Sequence, residues 1–482
     1  MTANAGQSGL VAGIDSSTQS CKVVVCDAET GEVVRTARTG HPDGTAVPAD
    51  SWWRAYQEAT ADGILDGVDT LAVGGQQHGM VTLDADQQLV RDALLWNDNR
   101  SAPDALDLID ELGGPQAWAE AVGSVPVASM TVTKLRWLAR NEPVNAARTT
   151  TVVLPHDYLT WEIGGRRFAP VTDRGDASGT LYFDAAENRY RDDLVERALG
   201  HGLDLPRVAG PDEIVGHTPD GIGIAPGTGD NMAAGLGLGV RPGEAIVSLG
   251  TSGTAFTRAE AQTHEPTGTV AGFADATGGF LPLVCTLNGA RNLVAAAELL
   301  GLGLEEFARL ALEAPAGSEG LTFLPYLEGE RTPPLPDATG ELVGMTLANL
   351  KPANVARATI EGVLWSLAFG VGVLAEQTDR ISRITLTGGA SQSEAVQRIA
   401  PAVFGLPVAV TAPFEAVAVG AARQAAWAGT GELPDWPVPL IGEFEPTESD
   451  LTAHRELSER YRAVLDAHYR PTSGPRGHDS ER

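Results

Sequence analysis

Apolar and polar positions alternate in short blocks from the start of the chain. The stretch "VAGIDSSTQSCKVVV" (residues 11–25) sets two apolar runs of strand length around a polar turn, which predicts a hairpin buried in a sheet. The meander continues through Lys22–Asp27, a turn at 29–31 and a strand over Glu32–Arg38. A helix is expected from Asp50 or Ser51, with Trp52, Trp53 and Tyr56 on an apolar face that reads as core packing. A strand over Thr70–Val73 then leads into "GGQQHG" (74–79) and "LLWND" (94–98).

Halfway along, the same pattern returns. Residues 243–259, "GEAIVSLGTSGTAFTRA", again read as strand, Ser/Thr turn and strand, so that Thr251 takes the place of Thr18. A strand and helix over 281–301, a long apolar helix from Asn354, and "RITLTGGASQSEAVQRIA" (383–400) follow. The last of these predicts a strand, a Gly388-Gly389 turn and a helix, with Ser391 and Glu394 spaced as a capping box. A strand over Pro407–Thr411 and an Ala-rich helix over Glu415–Trp427 complete the half. Alternating strands and helices in both halves predict an α/β fold with two related domains, divided as 1–242 and 243–469. The polar, Pro/Gly-rich tail over 470–482 is expected to be disordered.

Composition narrows the function classes. The net charge of −29 disfavours nucleic acid and anionic membrane surfaces as partners. The apolar segment Val363–Ala375 is shorter than the roughly 20 residues a membrane span needs, so it reads as a buried helix. Cys21, Cys26 and Cys285 form no CxxC pair, and no Lys or Arg precedes Lys22, so neither a disulfide framework nor a secretory leader is expected and the cytoplasm is the expected location. Lys22, Lys134 and Lys351 are the only lysines; none follows GxxxxG, which excludes a P-loop.

Against that acidic background the hydroxyl-rich turns stand out. Asp15 at a strand tip, followed by Ser16, Ser17, Thr18 and Ser20, fits either turn chemistry or an anion site with a carboxylate for a cation. Asp230, ahead of a small-residue run, fits either a helix N-cap or a general base. Glycines 235, 237 and 239 permit close helix–sheet packing and weakly resemble a dinucleotide fingerprint. Gly250–Gly253 lets backbone approach a phosphate, and Gly388-Gly389 ahead of a helix suits a nucleotide. Together these turns and Asp230 suggest ATP and a divalent cation lying between two domains.

The ordered series of motifs resembles the FGGY family of carbohydrate kinases, most of all its xylulokinase branch. It runs from "GID…T…K" through "GQQHG", "LLWNDNR", "LPHDYLT", "TDRGDASGTLYFD", "GTGDN", "SLGTSG", "FLPYLEGERTP", "ARATIEGV" and "TGGASQSE" to "VGAARQAA", nearly the whole chain. The resemblance implies two actin-like ATPase (ribonuclease H-like) domains with an interdomain active-site cleft. It further implies ATP-dependent phosphorylation of a ketopentose, D-xylulose first, with ribulose, glycerol or a deoxy sugar as alternatives. By resemblance Asp230 is the catalytic base, and Asp15 and Asp230 sit at the Mg2+. Gln77, His78 and Asp98 join Asp230 at the sugar, while Thr18, Ser20, Lys22, Gly250, Thr251, Gly289, Gly388, Gly389 and Ser393 hold ATP. The partners implied are a small-molecule sugar and ATP, with room left for a homodimer. Three positions depart from the family pattern: Ser17 and Ala390 replace glycines, and Gln77 stands where many relatives carry methionine. Two readings from other classes are a sensor that keeps the fold without turnover and, from the glycine run, a nicotinamide oxidoreductase.

Overall fold

The structure is a computed structural model that describes residues 9–378 and 380–469; the tail from Arg470 lies outside the described residues. Two mixed sheets carry the architecture. Five of the seven strands of the first are β1 (Leu10–Ser16), β2 (Ser20–Asp27), β3 (Val33–Gly40), β4 (Val68–Gly75) and the short β5 (Gly223–Ile224), in the order β5-β4-β1-β2-β3. The second uses β6 (Glu244–Leu249), β7 (Gly253–Thr257), β8 (Phe280–Thr286), β9 (Arg383–Thr387) and β10 (Val408–Thr411), in the order β10-β9-β6-β7-β8. In both, the first three strands form an antiparallel meander and the next two run parallel to the first. The repeat expected from two strand–turn–strand segments thus extends to five strands of the same order and direction.

Strand alternation assigns each face of the first sheet. Ala12, Ile14, Val23, Val25, Leu71 and Val73 pack under helices α1 (Asp50–Thr60) and α2 (Pro155–Ile163). Tyr56 is buried there and Trp52 in a neighbouring cluster with Val81, Leu83, Tyr158 and Trp161, as core packing required. Val11, Val24, Cys26 and Ala72 face the other way, and what covers them comes from the far end of the chain. Helix α7 (Ala416–Thr430) lays Ala418, Ala421, Ala422 and Ala425 on this face. A Cβ on Gly13 would sit 1.8 Å from Ala418 O, so only glycine admits the helix at this distance.

Between the sheets α7 crosses α3 (Asp230–Gly237), and glycines again set the spacing. A Cβ on Gly237 would meet Ala416 O at 2.1 Å, and one on Gly420 would meet Ala233 O at 1.8 Å. The glycine run therefore serves mainly a helix–helix crossing, whereas helix–sheet packing was expected; Gly235 alone makes ordinary contacts with Leu281 and Phe256 of the second sheet. Both sheets consequently share one helical layer, and the division at residue 242/243 separates strands but not packing.

The second sheet's outer face is covered by α4 (Ala290–Leu299), α5 (Pro352–Gln377) and α6 (Glu394–Phe404). Helix α5 has 26 residues and is long and apolar enough to span a bilayer, so the length argument made for residues 363–375 does not hold. Its most apolar stretch is instead 72% buried within the protein, as the central helix of a core. The capping box expected at Ser391 and Glu394 does not form either. A short 3-10 turn over Gly389–Gln392 intervenes, Ser391 donates to Gly388 O at 2.7 Å, and Glu394 pairs with Arg398 at 2.6 Å.

Candidate active site

The candidate residues lie at the strand ends and turns of both sheets. Asp15 is the penultimate residue of β1, and strand alternation places its side chain on the face covered by α7. Ser17 donates to its carboxylate, and Lys22 Nζ, opposite it in β2, lies 3.3 Å away. Burial pushes the Asp15 carboxyl above its usual range, and the Ser17 and Lys22 contacts offset part of that rise. Lys22 also reaches Glu415, just before α7, at 2.6 Å, so the charge proposed for phosphate is shared between two acids.

Asp230 is the first residue of α3, and the N-cap is Gly229, so the carboxylate is not spent on capping. Its Oδ1 accepts from Asn231 N at 2.8 Å and from Asn231 Nδ2 at 3.1 Å. The same Nδ2 donates to Gln77 Oε1 at 2.8 Å, tying the base candidate to the end of β4. Burial, with the nearby charges of Asp15 and Asp176, pushes Asp230 up to about 7.

His78 sits at φ +66°, where the chain turns sharply after Gln77. Its Nδ1 donates to Gly179 O at 2.9 Å, and its ring lies 5.4 Å from that of Phe273 in the second half. Burial and the positive charge of Lys134 push its pKa down to about 3, so the ring is neutral. With Nδ1 protonated, Nε2 is an acceptor. Asp98 is different: Thr45 donates to it at 2.8 Å, and Arg100 does so through Nε at 2.7 Å and Nη2 at 2.9 Å. Its oxygens are occupied within the protein, and its visible task is to hold the 96–100 turn.

On the opposite side, three backbone segments converge. A Cβ on Gly289 would meet Gly250 O at 2.6 Å, and one on Gly388, at φ +94°, would meet Leu249 C at 2.8 Å. Ala290 N, at the start of α4, donates to Gly250 O at 2.8 Å. Gly250, Gly289 and Gly388 are therefore packed together as bare backbone, beside the exposed Thr251 and the open side of Gly389. Ser393 is the N-cap residue of α6 but makes no side-chain cap. Cys285, near the end of β8, is close enough to Asp230 for that carboxylate to add to the burial that raises the thiol, which brings this end of the second sheet up to the base candidate.

Not every residue singled out in the sequence is free in this geometry. Thr18 accepts from Trp96 Nε1 at 2.8 Å, which leaves its own hydroxyl proton to donate, and Ser20 is buried at the start of β2. Two groups were missed: Asn231, which links Gln77 to Asp230, and the buried acids and imidazole of "PHD" (155–157) and "TDRGD" (172–176). Their signal was charge clustered within otherwise apolar segments.

The donor set suits magnesium. Asp15 and Asp230 are neighbouring carboxylates whose pKa values both rise on burial, a charge pair that a cation relieves. Two carboxylates alone fit an ion that keeps most of its shell for water and phosphate. No cluster of three or more His, Cys, Asp or Glu suited to a metal occurs among the described residues.

Comparison with known proteins identifies the family. Residues 10–237 match the N-terminal domain, and residues 245–429 the C-terminal domain, of the FGGY family of carbohydrate kinases. The xylulose kinase of Streptomyces coelicolor is 44% identical over 444 residues, covering 89% of this chain and 90% of its own. That of Escherichia coli is 32% identical, covering 94% of this chain and 98% of its own. Among solved structures, xylulose kinase from Bifidobacterium adolescentis superposes with a TM-score of 0.87 at 45% identity, covering 94% of this chain and 99% of that one. Plasmodium falciparum glycerol kinase with ADP, at 17% identity and a TM-score of 0.83 over 96% of this chain and 98% of its own, shares the fold. Two sheets that repeat one five-strand topology at their centres, and both family domains in order, lead to one conclusion: the chain belongs to the FGGY family of carbohydrate kinases.

Proposed function

We propose that the chain transfers the γ-phosphoryl group of ATP to a ketopentose, D-xylulose before others, with Asp230 as general base. The observation that carries this is the chain Gln77–Asn231–Asp230 beside the neutral His78. It sets a proton acceptor and two polar readers of hydroxyl groups at one end of the cleft. The similarity to xylulose kinases over about nine-tenths of the chain supports the choice of sugar.

In this reading Gln77 and His78 orient the sugar, with His78 Nε2 accepting from a hydroxyl. The attacking hydroxyl gives its proton to the Asp230 carboxylate as its oxygen bonds to the γ-phosphorus. The bond from that phosphorus to the bridging oxygen breaks, and ADP leaves. A base poised near the working pH suits this transfer, and positioning with charge neutralisation supplies most of the rest. Gly250, Thr251, Gly289, Gly388, Gly389 and Ser393 form the ATP wall, while Thr18, Ser20 and Lys22 face its phosphates. Asp15 and Asp230 would hold Mg2+, which when bound neutralises phosphate charge. Closure of the cleft excludes water that would otherwise accept the phosphoryl group.

ADP release measured with D-xylulose, L-xylulose, D-ribulose, L-ribulose and glycerol tests the proposal. The expected result is the highest kcat/KM for D-xylulose. A preference for ribulose or glycerol would overturn the sugar assignment, and no sugar-dependent ADP release with any of them would overturn the ketopentose kinase reading.

A further inference from the structure

Beneath the cleft lies a cluster of ionisable groups with no part in the chemistry proposed above. His156, on α2, is fully buried and donates from Nδ1 to Asp176 Oδ2 at 2.7 Å. Its Nε2 lies 3.2 Å from Asp157 Oδ1 and 3.9 Å from Asp173 Oδ1. Asp173 caps the short helix Arg174–Ser178, accepting from Gly175 N at 2.8 Å and Asp176 N at 2.9 Å. It also accepts from Thr228 Oγ1 at 2.7 Å, and Thr228 stands two residues before Asp230. The backbone leaves room for the imidazole at two places. A Cβ on Gly75 would meet His156 Cβ at 2.7 Å, and one on Gly227 would meet His156 Cδ2 at 3.0 Å. His156 thus fits between the end of β4, which leads to Gln77, and the loop that leads to Asp230.

The second connection runs through Asp176. Its Oδ1 and the Nε2 of Gln77 are both buried without an aligned partner. The Gln77 amide is nonetheless close enough to help hold the Asp176 carboxyl down, against the larger rise that burial causes. Three buried acids around one imidazole are a weak way to add stability, because desolvation offsets most of the attraction. The arrangement does fix geometry: Asp173 bonds both Thr228 and the Arg174–Ser178 turn, and His156 bonds Asp176, whose carboxyl lies near the Gln77 amide.

We propose that His156, Asp173 and Asp176 form a buried positioning device with two arms. Asp173 acts through Thr228 to place Asp230, and Asp176 places Gln77 against the sugar. His156 joins the arms, so that base and sugar reader keep one register as the cleft closes. These are positioning residues: none touches the reacting atoms. The inference rests on the assignment of Asp230 as base and Gln77 as sugar contact.

The two arms make separable predictions. Thr228→Val keeps the side-chain shape and removes the donor to Asp173. It should lower kcat about tenfold or more, since small misplacements at a reacting centre cost up to roughly a hundredfold, while ketose KM changes less than about twofold by the same logic. Thr228→Ser restores the hydroxyl and should restore kcat. Asp176→Asn should instead raise ketose KM about tenfold with a smaller change in kcat, the signature of lost ground-state binding. ATP KM and the melting temperature of Thr228→Val should stay close to wild type. Wild-type kcat in Thr228→Val, or equal losses of kcat and ketose affinity in both variants tracking their melting temperatures, would overturn the proposal. Asp230→Ala serves as reference: if it retains turnover, the base assignment fails. If it is inactive while Thr228→Val is normal, only the positioning inference fails.

Discussion

The two hairpins that open the two sheets invite comparison. Strands β1 and β2 enclose four residues between the paired Ser16 and Cys21, while β6 and β7 enclose three between Leu249 and Gly253. Asp15 and Ser248 hold the same penultimate position, and both face the helical layer between the sheets. Around the first is a set of charges: the buried Asp15, the partly exposed Lys22, and Asp230 nearby. Around the second there is a serine and then glycines packed backbone to backbone. One topology thus supplies two unlike walls, the first with ionisable groups and the second with bare glycine backbone. The turns hold one architecture in place, and the residues at their tips divide the labour.

Breaking the charged wall should have the largest effect. Asp230→Ala should lower sugar-dependent turnover about 10²–10⁴-fold, the range for loss of a positioned base. The circular dichroism spectrum should be unchanged, because Gly229 and not Asp230 caps α3. Asp15→Ala should raise the magnesium concentration needed for half-maximal rate by about ten- to a hundredfold, from the loss of one charge-assisted contact; a magnesium titration of both proteins checks this. Sugar affinity should change little.

Breaking the bare wall should look different. Gly388→Ala sets a Cβ 2.8 Å from Leu249 C at a backbone angle that L-residues avoid. The strain of about 1–2 kcal/mol plus the clash should raise ATP KM about tenfold or more, while Gly389→Ala, with nothing within 4 Å of the new Cβ, leaves the fold intact. On the sugar side, His78→Ala should lower ketose kcat/KM roughly ten- to a hundredfold, as expected for an unpaired buried hydrogen bond. Matched titrations should show binding of a non-hydrolysable ATP analogue little altered; equal weakening of both ligands would assign His78 to the fold.

The smallest effect expected is on stability. Burial is the largest single influence on His156 and lowers its pKa, but Asp157, Asp176 and Asp173 together outweigh it and hold the ring up at about 9; Tyr182 also lies near this cluster. An unfolded histidine titrates near 6.5. The proton on His156 therefore contributes its full stability below about pH 6.5 and loses it as pH rises through about 9. Asp157, raised to about 7 by burial, acts in the same direction as it ionises. Melting temperature should fall by a few degrees between pH 7 and 10, and His156→Gln should flatten the curve.

Much of this division was legible in the residues. The repeated strand–turn–strand units, the Gly388-Gly389 turn and the acid at position 230 carry local signals that tertiary context did not reverse. The buried network was not legible, because it joins α2, the helix after Asp173 and the loop before Asp230, which meet only in three dimensions. The capping box at Ser391 failed for a related reason: the strand's end at Leu249 draws Gly388 into contact, and the chain makes a 3-10 turn before the helix can begin. The pairing of Asp98 with Thr45 was not legible in "LLWND", because nothing in that stretch shows that Thr45 would come to meet it.

Helix α7 also sets a schedule for synthesis. The first sheet has all its strands once residue 229 has been made, yet the face formed by Val11, Val24, Cys26 and Ala72 waits for residues 416–430. At roughly 5–20 residues per second, that apolar face stays uncovered for on the order of 10–40 s while the second half is still being made. The N-terminal half cannot finish folding as it leaves the ribosome, and a fragment ending at residue 242 would be left with an unsealed sheet. The protein has two domains to an enzymologist, but to the ribosome it is a single folding unit, closed by one of its last helices.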